Sequence, residues 1–471
     1  MKKYKTSLHW FRRDLRLVDN AGLWNAQQMS EQVVPVYVLS DWKKKHDWTG
    51  PNRQAFLCGN LQSLAKNLEA IGSRLVLRCG SAERELEKLL KETKAEALFV
   101  NRDPDPFGKE VEGKVKEVCE RMGVAFHSFK DAVLHEADEV VKGDGSAYRV
   151  YTPYSKVWLG LAKPEPLPRV KSLGNAVGDN VKSEALPTLA HWGLEESGAE
   201  LPEAGERAAR ERMKNFVGSR RLPEYAEKRN VPFGMHSSGL SPDLRYGLIG
   251  IRELYARCRK KAEEMSTGER KGVETYVKEL GWREFYMAVL HFWPEVLETD
   301  FNPEFRNVRW DSDEALFEAW KAGMTGFPMV DAGMRQLLAT GWMHNRLRMI
   351  VAMFLTKDLH CHWRLGESFF MQQLIDGEIA SNNGGWQWSA GTGADAAPYF
   401  RIQNPWLQGK RFDPDGMYIK KWIPELKDVP VERLHEPAKL RLAKDYPLPI
   451  VDHHAERDKT LERFKQGKEK R

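Results

Sequence analysis

A chain of 471 residues has room for two or three domains and for large cores without disulfide or metal staples. Its 73 Lys+Arg against 67 Asp+Glu leave a net charge of +6, which excludes an acidic solvating tail and allows a local basic groove in a mixed surface. With 41% hydrophobic and 30% charged residues the composition is that of a folded chain, not a disordered one.

The N-terminal residues MKKYKTSL run straight into HWFRRDLR, which breaks any signal-peptide core, and no apolar stretch reaches membrane-spanning length. From there strand-like apolar runs recur at 7–11, 33–39, 74–77, 97–100 and 124–129, separated by helix-length segments near 20–30, 53–71, 82–92 and 108–122. This rhythm predicts a doubly wound α/β domain over 1–135 with a five-stranded parallel sheet. The Gly-rich phosphate fingerprint that often follows the first strand of such a sheet is replaced by Arg12-Arg13-Asp14-Leu15-Arg16. The near-matches at Gly143 and Gly391 read as turns.

Residues 136–204 form a long connector, rich in proline from 164 onward. After it helical periodicity takes over, so 205–471 reads as an all-α domain ending in a basic, solvated helix or tail. Five scattered cysteines with no Cys-x-x-Cys pair exclude a zinc ribbon, a Cys-ligated cluster and a disulfide framework, and point to a reducing compartment. The sequence therefore predicts a soluble, cytoplasmic protein without a metal. His360-Cys361-His362 offers no metal site, because i and i+2 diverge on a helix, and His453-His454 reads as surface.

Three clusters in the helical region resist a packing explanation. Glu279, Trp282 and Arg283 fall at i, i+3 and i+4, giving one helix face a carboxylate, an indole and a guanidinium suited to a flat, polar-edged ligand. Taken alone, an exposed ion pair beside a core tryptophan explains it better. Trp342, Asn345, Arg346 and Met349 repeat at i, i+3, i+4 and i+7, a stripe too polar for a core. In Asp376-Gly-Glu378-Ile-Ala-Ser-Asn382-Asn-Gly-Gly-Trp386-Gln-Trp388 the Asn-Asn-Gly-Gly stretch reads as a turn, and the two indoles as stacking platforms beside two carboxylates. Ten of the chain's 16 tryptophans lie beyond residue 280.

Together WFRRDLRLVDN near the N-terminus, WREFY at 282–286, GWMHNRLRM at 341–349 and DGEIASNNGGWQW at 376–388 resemble the photolyase/cryptochrome family, and within it class I photolyases acting on cyclobutane pyrimidine dimers. The resemblance implies FAD folded into a U in the helical domain, active when fully reduced. It places Tyr225, Ser237, Ser238, Leu240, Ser241, Tyr276, Arg283, Trp342, Arg348, Asp376, Glu378 and Asn382 around that cofactor, with Asn382 at flavin N5 and Arg348–Asp376 as an ion pair beside the ring. For the lesion it implies a pocket of Glu279, Trp282, Asn345, Met349 and Trp388, with Arg229, Arg346 and Arg401 on the DNA backbone. Glu279, Asn345 and Asn382 are the implied catalytic groups, and Trp386, Trp363 and Trp310 the chain that carries electrons in from the surface.

The implied activity is light-driven dimer splitting by electron transfer from excited reduced FAD, performed by a monomer that needs no obligate protein partner. Ser237 stands where many relatives carry Thr, Tyr276 where some carry Trp, and Glu378 where Asp is common. A second, antenna chromophore is possible, and Asn101–Gly108 does not choose between a methenyltetrahydrofolate and an 8-hydroxy-deazaflavin. A (6-4) repair enzyme is disfavoured by Asn345, where that lesion calls for histidine. A cryptochrome photoreceptor is the alternative. It is disfavoured by the retained dimer pocket and the lack of a long C-terminal extension. A flavin-free single-strand binder would be told apart by its missing flavin absorbance.

Overall fold

The computed structural model describes residues 2–40, 47–174, 177–178, 180–311 and 313–469. Five strands, β1 (Tyr4–Phe11), β2 (Ser30–Leu39), β3 (Val76–Cys79), β4 (Ala97–Asn101) and β5 (Ala125–Phe129), pair in parallel in the order β3-β2-β1-β4-β5. The crossovers carry α1 (Ala21–Met29), α2 (Pro51–Glu69), α3 (Ala82–Thr93) and α4 (Pro106–Met122). Register aligns Leu8 with Val34 on one side and Leu98 on the other. These residues and Val36 pack with Leu86, Leu89 and Val115 of α3 and α4. Phe11, Val33, Tyr37 and Phe99 join the opposite core, with Leu23, Leu57 and Leu61 of α1 and α2. Burial on both faces is why the strands read as unbroken apolar runs.

Local signals start and stop these helices. Asn20 Oδ1 accepts from Leu23 N–H at 2.9 Å to cap α1, and Asp105 does the same for Gly108 at 2.7 Å ahead of Pro106 in α4. Strand order reverses between β1 and β4. The chain leaves these neighbours as Arg12-Arg13 and Arg102–Asp105, and a cavity of about 590 Å³ opens at that edge, the position where open α/β sheets bind ligands.

The expected connector carries a helix, α5 (Tyr151–Gly160), that packs on the helical region. Beyond it the chain is tied down along the sheet domain: Val170, Leu173 and Trp192 are buried, and Val33 N–H donates to the Leu173 carbonyl at 2.9 Å. After residue 205 the described chain is helical. The elements that build the site are α6 (Tyr225–Lys228), α7 (Ser241–Arg245), α8 (Thr267–Phe292), α9 (Asn345–Lys357), α10 (Trp363–Gln373), α11 (Ile379–Ala390) and, near the end, α12 (His453–Glu469).

Three expectations are overturned. Asn-Asn-Gly-Gly is not a turn; it lies in the middle of α11, which packs against α8, α9 and α10. A Cβ on Gly384 would sit 2.1 Å from the Tyr286 ring, and one on Gly366 2.0 Å from the Trp386 ring, so the glycines serve close helix approach. His453 is buried, and its Nδ1 lies 2.5 Å from Asp358 Oδ1. His360-Cys361-His362 is not helical either, since it joins α9 to α10, and no three His, Cys, Asp or Glu side chains cluster for a metal among the described residues. No helix among the described residues is long and apolar enough to cross a membrane.

Candidate functional site

Helices α8 and α9 both pack on α11, and the chemistry-bearing side chains of all three lie around that contact. His344 caps α9, its Nδ1 accepting from Arg346 N–H at 3.2 Å. Burial and the neighbouring arginines push this imidazole down to about 4, so it stays neutral and able to accept. The helix starts at Asn345, so Trp342 does not share its face as the spacing suggested. The indole is brought back by the preceding bend, and its Nε1 donates to Ser241 Oγ of α7 at 3.2 Å.

At the start of α11, Arg348 Nη2 donates to Asp376 Oδ2 at 2.7 Å and Arg348 Nε to the Met343 carbonyl at 2.9 Å. Among the described residues Asp376 Oδ1 is buried without a partner, an acceptor left for a group from outside the chain. Asn382 donates its amide to the Glu367 carbonyl at 3.0 Å, and neighbouring Asn383 donates to the Glu367 carboxylate at 2.9 Å. With its NH₂ engaged in α10, Asn382 presents its oxygen, an acceptor with no charge. Burial raises the Glu367 carboxyl to about 7, so a neutral acid can support the pair without adding a negative charge beneath them.

The remaining expected cofactor residues line up from α6 to α8. Tyr225 meets Tyr276 edge-on at 5.2 Å, and Leu240 N–H donates to Ser238 Oγ at 3.3 Å. Ser237 and Ser241 are left accessible in the same loop. Small hydroxyls here suit phosphate oxygens. The donor set, with the unpartnered Asp376 oxygen, fits a dinucleotide that ends in a flat ring.

Arg283 and Glu378 do not join this group. Arg283 Nη1 donates to the Ala132 carbonyl at 2.7 Å, and Glu378 is ion-paired to Arg13, with Arg283 Nη2 3.9 Å away. Both charged ends are held against the sheet domain, which lies over that side of α8 and α11. Arg283 lies on α8 at i+4 from Glu279, as the spacing suggested, but its partner there is the first domain.

One turn earlier on α8 the same face carries Glu279. Glu279 is ion-paired to Arg229. Burial raises its carboxyl above the ordinary range while the guanidinium pulls it back down. Trp282 stacks on Tyr151 of α5 with ring centroids 3.8 Å apart and planes 14° apart. Tyr151 was invisible to the sequence reading, since it lies far away in the supposed connector. Asn345 is exposed, and Met349 and Trp388 are half-buried. Beside them a second cavity of about 450 Å³ is lined by Asn230, Arg346, Arg401, Asn404 and Arg411, with Arg346 donating to Asn230 Oδ1 at 2.7 Å. Exposed Phe400 stands next to Arg401.

The three expected wire tryptophans span inside to outside. Trp386 is 2% exposed and packs on Phe370 and Trp320; Trp363 is fully buried and donates to Asp300 at 2.8 Å. Trp310 is half-buried. His362 lies between the last two, 5.4 Å from the Trp310 ring and 5.5 Å from the Trp363 ring.

Residues 7–171 match a family model described as DNA photolyase, and residues 276–466 one described as the FAD binding domain of DNA photolyase. A deoxyribodipyrimidine photo-lyase of Synechococcus is 40% identical over 456 residues, covering 95% of this chain and 94% of the relative. Among solved structures, a bacterial class III photolyase from Agrobacterium tumefaciens superposes with a TM-score of 0.91 at 36% identity, covering 100% of this chain and 99% of that one. An archaeal photolyase from Sulfolobus tokodaii, solved with two FAD molecules, superposes at 0.84 with 32% identity, over 98% of this chain and 100% of that one.

Proposed function

Because the chain belongs to the photolyase/cryptochrome family, we propose that it repairs cyclobutane pyrimidine dimers in DNA with light, acting as a monomer in the cytoplasm. The observation that carries the reading is Asn382: its amide is committed to Glu367, so a neutral oxygen is the group offered to a flavin N5–H. Bound and fully reduced, FAD would supply the light-driven one-electron chemistry needed to open the cyclobutane ring.

The chain's own residues do the rest. Arg348, locked by Asp376 and the Met343 carbonyl, holds a positive charge near the start of α11, where an anionic ring is favoured. Tyr225, Tyr276, Ser237, Ser238, Leu240 and Ser241 take the diphosphate side. Trp282 and Trp388 give apolar walls to an extruded dimer, whose poor stacking makes extrusion cheaper than for intact bases. Glu279 hydrogen-bonds the base edge, and Asn345 and Met349 complete the pocket. Arg229, Arg346 and Arg401 hold the backbone with salt-dependent affinity. Trp386, Trp363 and Trp310 carry electrons inward to the flavin from solvent.

A second chromophore takes the cavity between the sheet edge and the helices. Its volume of about 590 Å³ suits a planar ring system, and Asp103, Asp105 and Phe107 of the 101–108 stretch line it. The motifs favour class I; the class III neighbour at a TM-score of 0.91 favours the second assignment. Both make the same demand on the experiment. Blue light on FAD-loaded protein should restore ultraviolet-damaged thymine oligonucleotides, with none restored in the dark. Flavin photoreduction without repair would replace this reading with that of a photoreceptor.

A further inference from the structure

The flavin turn is held from behind by the other cavity. Asp376-Gly377-Glu378 leads directly into α11, and three arginines that line the inter-domain cavity reach it. Arg13 bonds Asp103 at 2.9 Å on the cavity side and Glu378 on the other. Arg53 Nη1 and Arg245 Nε both point at the Gly377 carbonyl, at 3.5 and 2.9 Å. Arg12 and Arg13 are matched by Glu112, Asp103 and Asp105, and Lys114 by Glu110. Arg53 and Arg245 have no carboxylate within ion-pair distance among the described residues.

Arg245 is the two-ended member. Its Nε is engaged on the flavin turn, while neither Nη atom donates to another group among the described residues. A guanidinium is one rigid plane with five donors, so an anion held by the Nη pair also fixes where Nε points. Resting on the reading that FAD sits between α8, α9 and α11 and a second planar chromophore in the inter-domain cavity, we propose that Arg245 couples the two sites: an anionic aromatic ligand in the inter-domain cavity clamps the arginine and thereby tightens retention of FAD. The clamp removes side-chain freedom that either ligand alone would have to freeze, which makes the second binding event easier. The coupling is reciprocal, so bound FAD raises affinity for the cavity ligand by the same factor.

The test uses FAD-loaded full-length protein with FMN as the anionic probe and riboflavin as its neutral counterpart. Equilibrium dialysis gives the probe bound per chain, and FAD remaining after gel filtration is separated from FMN by chromatography. FMN is expected to bind once per FAD-loaded chain and to slow FAD release about fivefold or more, with riboflavin without effect. In Arg245→Gln, checked for native folding by circular dichroism, FMN no longer slows the release. FMN bound at one per chain with FAD release unchanged overturns the coupling and leaves the second site standing. FMN that fails to bind while FAD is in place, or that only displaces FAD, overturns both.

Discussion

Trp282→Ala separates lesion recognition from cofactor binding. One face of this indole is covered by Tyr151 at 3.8 Å, and Phe285 and Tyr286 meet it at 5.6 Å, so the ring is braced and one side remains for a base. Replacing an aromatic platform by alanine costs about 1–3 kcal/mol per stacked base. At 1.4 kcal/mol per tenfold that is a loss of roughly 5- to 150-fold in affinity for damaged DNA. Among the described residues the rings that meet Trp282 are Tyr151, Phe285 and Tyr286, none of them assigned to the cofactor, so FAD content is expected to stay as in the parent. Fluorescence anisotropy on irradiated and intact oligonucleotides, with FAD read from absorbance, gives both quantities in one preparation. The ratio of damaged to intact affinity must fall. Unchanged discrimination at full FAD content would refute the pocket, as would an equal loss on both DNAs.

Three further outcomes follow from the geometry. Trp310→Phe slows photoreduction of oxidised FAD but spares repair by chemically pre-reduced protein; if pre-reduced protein also fails, this tryptophan is not an electron relay. Gly384→Ala puts a Cβ against the Tyr286 ring, costs about 1–3 kcal/mol by overpacking, and lowers FAD retention in proportion as α11 is forced off α8. Adding Tyr286→Ala should recover part of that retention, and no recovery would reject the crossing as the cause. Lys357 is buried, donates to the Tyr399 carbonyl at 3.0 Å, and is pushed by burial from 10.5 down to about 7. Because its folded value is depressed, the unfolded chain holds the proton between about pH 7 and 10.5, and wild-type stability climbs across that window. Lys357→Met therefore gains on the order of 3 kcal/mol below pH 7, after about 1 for the lost hydrogen bond, and the gain shrinks as pH rises. Urea midpoints at pH 6.5 and 9.5 test it, and an equal gain at both refutes the buried charge.

The sheet was legible because parallel strands covered on both faces are apolar without interruption, and its edges moved by only a few residues, as at β3 (Val76–Cys79) against the run at 74–77. Helix α11 was not, because Asn-Asn-Gly-Gly carries the local preference of a turn and tertiary contacts override it: Gly384 admits Tyr286, and both asparagine amides are tied to Glu367. His453 looked like surface because it sits in a charged stretch with no apolar period, yet Asp358 draws it inside. Periodicity put Glu279, Trp282 and Arg283 on one face, but spacing is silent on which neighbour lies across it. Glu279 meets Arg229 and Trp282 meets Tyr151, whereas Arg283 meets the sheet domain. Tyr151 itself pairs with a residue 131 positions away, beyond the reach of any local pattern.

What the misread segment acquires by being helical is a fixed ruler. Asn382, Trp386 and Trp388 sit at i, i+4 and i+6 of α11, so at 1.5 Å per residue they are set about 6 and 9 Å apart along one axis. Their directions are fixed by the same turn. Trp386 lies close to the Asn382 face and enters the core beside Phe370, while Trp388 turns away from it and remains half-buried at the outer wall. A turn of the same composition would leave these three free to drift relative to one another. The residues proposed as the flavin's hydrogen-bond partner, the first electron relay and one wall of the lesion pocket then belong to a single rigid element, clamped on three sides by α8, α9 and α10. Electron transfer depends steeply on separation, and a binding pocket on the relative placement of its walls, so the two glycines that let this helix approach its neighbours serve the chemistry as directly as the side chains that touch the ligands.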